Sequence, residues 1–442
     1  MKPTDKPKYF CMAPWTHTYL SPQTERRLCC ASREPAQNFK QYIDTHEGSN
    51  EYLPMELSEW WNSDFVKNVR KDMMEGRKPK PCEVCNEKLL NTDVYRNYFW
   101  HMFKHKYNDV WENTNSDGYT TMQPVSWDYR FSNLCNFKCR TCGDMLSSSW
   151  ESEQRKHDMV DYTKPKNHWM KPDVRKQISK FQDSVVEKEF ADAVENHSVE
   201  EVYWVGGEPL MYEQHWHYMK RIVELGDGPG LYARYNTNLS RIKYKGIDLY
   251  NDILSQIRDW EICASIDGTG KIGEYIRTGL DYEQWLDNYV KGTQFQTKPN
   301  QMRLDFTLTL PGLFEIERMF DLSVKTNTML LSKVTFTFSS DIYMSPLFLP
   351  KDILHSIVTP LIAKLEPRTT WKQQPLIDVL KQLLSRPTTQ EQWPEDYKTG
   401  WSKGKKRCET IEKIRKDSYT MNNILEEHNH DALRWWNSIT YS

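Results

Sequence analysis

Nowhere does the 442-residue chain carry a run of about 18 apolar residues, so a membrane-spanning helix is not expected. The opening stretch Met1 to Lys8 lacks the apolar core of an export signal. An excess of charge of one sign is missing too: 59 basic side chains face 61 acidic ones, which argues against a nucleic-acid partner. The one short basic cluster, Lys403 to Arg407, reads as a solvated helix face. Cysteine is not scarce. A disulfide framework would fit the ten present only in an exported chain. Clustered at ligand-like spacings and without an export signal, they point instead to metal binding in a reducing, cytoplasmic compartment. The length exceeds one small core and implies two or three domains, and the 17 tryptophans and 24 tyrosines read as packing residues.

The most informative stretch is Cys135, Cys139 and Cys142, spaced by three and then two residues. So short a loop holds three thiolates around one compact inorganic centre. Closed structural zinc sites and most electron-transfer clusters take four protein ligands. Three leave one metal position open, and an open position implies chemistry.

From Tyr119 onward strands alternate with helices, the pattern of a parallel sheet built from right-handed crossovers. Six strands are expected: 125–131, 201–205, 231–236, 260–266, 302–309 and 333–338. Helices are expected around 174–194, 213–224, 248–259, 282–291 and 313–325. Gly206 and Gly207 close the second strand and allow a ligand to approach the backbone, with Glu208 placed to accept from an ammonium group. The third strand ends in Asn236, Thr237 and Asn238, the fourth in Ser265, Ile266 and Asp267, with Arg277 just beyond. Cys263 reads as a small buried side chain. After Pro346 the pattern is helical, over 353–365, 375–384 and 408–424, with Trp435 and Trp436 on a packing helix face.

A second thiol group precedes all this. Cys11 and the Cys29-Cys30 pair sit on two expected hairpin strands, Phe10 to Trp15 and Arg27 to Cys30, and Cys82 and Cys85 follow an expected helix over 57–75. Cys11, Cys82, Cys85 and one of Cys29 or Cys30 make a four-thiolate site. Spacing alone does not choose between zinc and an iron-sulfur cluster there.

The Cys135, Cys139, Cys142 loop, with Gly206-Gly207-Glu208 and Ser265-Ile-Asp267, resembles the radical S-adenosylmethionine (SAM) enzymes. The resemblance implies a partial (β/α)6 TIM-like barrel over 119–345, a small N-terminal Cys-rich twitch domain over 1–118, and a helical C-terminal extension over 346–442. It implies a [4Fe-4S] cluster on the three thiolates, an auxiliary [4Fe-4S] cluster on the N-terminal ones, and reductive cleavage of SAM to a 5'-deoxyadenosyl radical that abstracts hydrogen from a substrate. Gly206, Gly207 and Glu208 would contact the SAM amino group, Asn236 would lie near SAM or substrate, Ser265 and Asp267 would meet its ribose or carboxylate region, and Arg277 its carboxylate. Many family members carry an aromatic residue just before the third cysteine; this chain has Thr141. The implied partners are SAM, a low-potential flavodoxin or ferredoxin, and a substrate among peptides or protein side chains. A competing reading from a different class is a zinc-stapled, non-catalytic binding or adaptor protein.

Overall fold

The computed structural model describes residues 6–32, 54–85, 94–335 and 340–441. It is mixed α/β, and its strands pair mostly in parallel. In chain order the strands are β1 (His17–Leu20), β2 (Arg26–Arg27), β3 (Ser126–Tyr129), β4 (Glu201–Trp204), β5 (Tyr232–Thr237), β6 (Lys243–Tyr244), β7 (Ile247–Asp248), β8 (Asp259–Ile266), β9 (Met302–Leu308) and β10 (Met329–Val334). No helix among the described residues is long and apolar enough to cross a membrane.

The chain divides into two compact units, Met1–Leu134 with Glu151–Arg234 and Asn251–Trp260, and Cys135–Trp150 with Tyr235–Tyr250 and Glu261–Ser442. β5 and β8 contribute residues to both.

In the first unit β1 pairs antiparallel with β2 and parallel with β3, and β3 pairs parallel with β4. Alternation separates two chemistries across this sheet. Trp127, Phe131 and Trp204 pack against Phe190 of the helix Glu187–Glu195, with ring centroids 5.5 to 5.9 Å apart. The opposite face is polar. His17 lies across from Ser126 and Ser126 across from Glu201, and Arg234 closes the row with Nε 2.8 Å from Glu201 Oε1.

In the second unit β8, β9 and β10 run parallel, with Ser265 opposite Asp305 and Thr307 opposite Lys333. Ile262, Ala264 and Ile266 are buried with Met302, Leu304 and Phe306. The polar positions of these strands pair instead: Arg303 Nη2 lies 2.6 Å from Glu261 Oε2, and Lys333 Nζ 2.9 Å from Asp305 Oδ2. Cys263 is buried as expected.

Each of the six expected strands has a counterpart, but several boundaries and three helices differ. The N-terminal hairpin is formed by His17–Leu20 and Arg26–Arg27, because Pro14 starts a single helical turn, Ala13–Thr16, where a strand was expected. The helix over 57–75 is two, Leu57–Trp61 and Asp64–Met74, separated at Ser63, whose side chain caps the second by accepting from Val66 N. The helix expected over 248–259 is reduced to two short helical turns, Leu249–Ile253 and Leu254–Gln256, between the β6–β7 hairpin and the start of β8 at Asp259. Lys245 (φ 47°) and Gly246 (φ 87°) both take left-handed backbone in the hairpin, the geometry of a two-residue hairpin turn. The last strand begins at Met329 rather than Lys333, and the expected residues 336–338 lie outside the described residues. The helix expected over 408–424 is part of Tyr397–Arg415 and of Met421–His428, interrupted where Lys416 turns left-handed (φ 55°). Lys405 does not sit on a solvated face: it is buried and its Nζ donates to Trp436 O at 3.0 Å and Ile439 O at 3.1 Å.

Candidate functional site

The loop of Cys135, Cys139 and Cys142 is fixed by its own backbone. Lys138 N donates to Thr278 O (2.8 Å) and Arg140 N to Ile276 O (2.7 Å), so the loop lies along residues 276–278. Ser147 Oγ donates to Phe137 O at 2.6 Å, Ser149 Oγ to Cys135 O at 2.7 Å, and Trp150 Nε1 to Cys139 O at 2.6 Å. These bonds fix the loop's backbone, and Cys142 Sγ donates to Gly143 O at 3.7 Å.

Nitrogen donors point at two of the sulfurs. Cys135 Sγ accepts from Phe137 N at 3.4 Å and from Asn238 Nδ2 at 3.9 Å, and Cys139 Sγ accepts from Arg277 Nη1 at 3.9 Å. Such donors favour a sulfur that carries negative charge, which is what a metal-bound thiolate is. Burial pushes the Cys139 thiol up to about 12, against the pull of Arg277, and pushes Cys142 up as well. Both thiols are therefore neutral until a metal displaces their protons.

Asp267 and Arg277 are neighbours of the loop, but their first partners are each other. Arg277 Nη2 donates to Asp267 Oδ1 at 3.0 Å and Nε lies 3.0 Å from Oδ2. Burial works against the guanidinium charge, yet Asp267 and then Cys139 hold its pKa above the usual arginine value. Asp267 Oδ1 also accepts from Thr307 N at 3.2 Å, and Thr141 Oγ1 lies 3.5 Å from Oδ2. Thr141 thus faces this carboxylate. Asn236 Nδ2 is directed at Asp305 Oδ2 (3.4 Å), and Ser265 stands beside Asp305 across the β8–β9 pair.

Gly206, Gly207 and Glu208 belong to the first unit. Gly206 (φ 85°) and Gly207 (φ 57°) both have left-handed backbone, and a Cβ on Gly207 would lie 2.5 Å from Leu134 O. Glu208 N donates to that same carbonyl at 2.7 Å. The glycine pair therefore lets the end of β4 close onto the segment that leads into Cys135. Glu208 is buried, and Oε1 accepts from Leu210 N at 3.0 Å.

The N-terminal thiols form a separate group in the first unit. Cys11, Cys29, Cys82 and Cys85 line one cavity with Ala13, Leu28, Met73, Val84 and Phe99. Burial drives the Cys29 thiol well up, reinforced by the nearby Cys30, Cys82 and Cys11. Cys30 does not line this cavity. It is raised by burial and then by Asp128, and Tyr95 bonds its sulfur. Among the described residues no three or more Cys, His, Asp or Glu side chains converge to hold a single metal ion. The thiolates of an iron-sulfur cubane each take a different iron, so they do not converge on one point.

Two features escaped the sequence reading. Asn238, rather than Asn236, is the residue of the Asn-Thr-Asn run that reaches a loop thiol, and the position of Cys135 supplies the only reason to prefer it. The row His17, Ser126, Glu201, Arg234 was visible only as polar residues alternating with apolar ones. Its closeness follows from strand register: Ser126 Oγ donates to Glu201 Oε2 at 2.5 Å, and His17 Nδ1 lies 2.8 Å from Ser126 Oγ.

No family model matches the chain, and no curated protein matches it in sequence. Similar solved structures include three of Streptococcus suis SuiB. That bound to S-adenosylmethionine is 14% identical over 70% of this chain and 60% of that one. A second SuiB structure is 12% identical over 74% and 66%, and SuiB bound to precursor peptide SuiA is 15% identical over 72% and 66%. The chain thus covers less than two thirds of their length. At a TM-score of 0.35 in each case, these likenesses bear on neither the fold nor the site.

Proposed function

We propose that the chain is a radical SAM enzyme acting on a peptide or protein side chain, with a partial (β/α)6 barrel over 119–345, a twitch-like domain over 1–118 and a helical region over 346–442. The observation that carries this reading is the three-thiol loop with Asn238 and Arg277 aimed at Cys135 and Cys139. When bound, a [4Fe-4S] cluster there supplies the electron that cleaves SAM to methionine and a hydrogen-abstracting 5'-deoxyadenosyl radical.

The protein's own groups do the rest. Cys135, Cys139 and Cys142 hold the cluster, and the donors on the sulfurs offset its negative charge. Gly206, Gly207 and Glu208 take the amino end of SAM, and Asn236, Ser265, Asp267 and Arg277 its remaining polar groups, as the family resemblance gives them. The Asp267–Arg277 pair presents one carboxylate and one guanidinium already desolvated and mutually oriented, so neither has to be stripped of water when a charged ligand arrives.

The N-terminal group is read as an auxiliary [4Fe-4S] centre held by Cys11, Cys29, Cys82 and Cys85. The shared cavity supports Cys29 over Cys30. Four protein thiolates leave no iron open, which favours electron transfer to or from the substrate radical over substrate ligation. A flavodoxin or ferredoxin supplies the low-potential electron.

Anaerobic reconstitution with iron and sulfide tests the reading. The expected outcome is a brown protein that releases 5'-deoxyadenosine from SAM in the presence of dithionite. Colourless protein containing zinc, with no SAM cleavage, would instead support the zinc-stapled adaptor.

A further inference from the structure

The helical C-terminal region received no role from the sequence, yet its longest helix reaches the cysteine loop. Arg140 lies between Cys139 and Cys142, and its side chain is fully buried. The guanidinium stacks 3.9 Å from the Tyr275 ring, and Nη1 donates to Tyr275 O and, at 2.9 Å, to Thr278 Oγ1. Nη2 pairs with the carboxylate of Asp417, 277 residues further along the chain.

Asp417 is delivered by the end of the helix Tyr397–Arg415. Lys416 takes a left-handed conformation, which turns the chain back so that Asp417 N bonds Glu412 O at 3.0 Å. Two further residues of that last stretch act on the same loop. Arg415 covers the Trp150 ring at 4.5 Å, and Trp150 is the donor to Cys139 O. Glu412 accepts from Tyr275 OH at 2.8 Å, fixing the ring on which Arg140 stacks.

We propose that Asp417 is a positioning residue for the cysteine loop, acting through Arg140 to hold Cys139 and Cys142 at the separation a cluster requires. This rests on the reading of the loop as a cluster site. The physical reason is that Arg140 is buried with only neutral acceptors apart from Asp417. Neutralising Asp417 leaves its charge uncompensated, and the loop opens to let the guanidinium reach water. Since Arg140 is covalently flanked by the second and third thiols, that movement displaces both.

The test uses the full chain with Asp417→Asn, Asp417→Glu and, as a surface control, Asp431→Asn. In metal-free protein the alkylation rate of Cys139, read by peptide mass spectrometry against buried Cys263, reports loop position without any cluster. Asp417→Asn is expected to raise the Cys139 rate at least about tenfold with Cys263 unchanged, through local opening. Asp417→Glu is expected to restore it, and Asp431→Asn to leave it as in the parent. In reconstituted protein, Asp417→Asn is expected to lose the SAM-responsive EPR signal faster under a chelator, with the same rescue. Equal Cys139 rates in Asp417→Asn and parent overturn the proposal, and so does a parallel rise at Cys263, which signals general unfolding. A parent protein that takes up no iron overturns the cluster reading alone, since the alkylation comparison still decides the positioning role.

Discussion

The two thiol groups share a ligand type and differ in everything around it. Beside Cys135, Cys139 and Cys142 stand Asn238, Arg277 and Asp267, polar or charged side chains whose donors and acceptors are oriented by one another. Around Cys11, Cys29, Cys82 and Cys85 most of the wall is apolar, with Ala13, Leu28, Met73, Val84 and Phe99, and Ser32, Tyr95 and Arg96 are its polar members. A site that must bind a charged co-substrate and change its charge during reaction needs preorganised dipoles. A closed centre needs only thiolates and exclusion of water. Surroundings, more than ligand count, thus distinguish the two proposed tasks.

The largest effect should separate those tasks by mutation. Cys139→Ala is expected to lower 5'-deoxyadenosine release at least about a thousandfold, whereas Cys82→Ala leaves it measurable while removing the second centre's iron. Equal losses in both variants would erase the distinction.

Acid offers a second way to tell the regions apart. Among the described residues both fully buried histidines, His17 and His215, lie in the first unit, and burial lowers them to about 4 and about 3. Each is stored neutral, so its contribution is complete above the ordinary histidine value of 6.5 and is lost as pH falls toward the folded value. For His17 alone the loss is on the order of 3 kcal/mol between about pH 6.5 and 4. Hydrogen exchange at acid pH should open the first unit before the second, and His17→Gln should flatten part of the slope.

Backbone strain gives the next effect. Gly207→Ala forces a Cβ against Leu134 O in a left-handed conformation and is expected to cost about 2 kcal/mol or more in thermal unfolding. It should weaken SAM binding along with stability. Gly143→Ala, with extended backbone (φ −147°) and nothing within 4 Å of the added methyl, should change stability by less than about 0.5 kcal/mol. The smallest effect is a gain. Lys416→Gly relieves a non-glycine left-handed residue and should stabilise by about 0.5 to 1 kcal/mol, with Asp417 and the loop thiols undisturbed.

What was legible in the sequence was the chemistry carried by short spacings. The thiol loop, the glycine pair and the strand ends at Asp267 and Asn236 are each written within a few residues; among the strands beside them, 231–236 and 302–309 follow from alternation and 201–205 from an apolar run. Two kinds of information were not legible. Local conflicts hid the short turns over 249–256, where the helix expected over 248–259 gives way to β8 at Asp259, and the turn at Ala13, where proline outweighs a strand pattern. Long-range partners were hidden altogether. Nothing in the sequence joins Arg140 to Asp417 or Tyr98 to Glu201, because each pair is made by the fold and each residue alone reads as a surface charge or a packing ring. Lys405 makes the same point, since its ammonium is buried only because two carbonyls near Trp436 receive it.

The most direct test of the division between the two thiol groups is EPR of the reduced, reconstituted protein with and without SAM, in the parent, Cys139→Ala and Cys82→Ala. SAM is expected to change one signal in the parent, the same signal in Cys82→Ala, and none in Cys139→Ala. A SAM response that survives in Cys139→Ala and disappears in Cys82→Ala, or a parent spectrum indifferent to SAM, would contradict it.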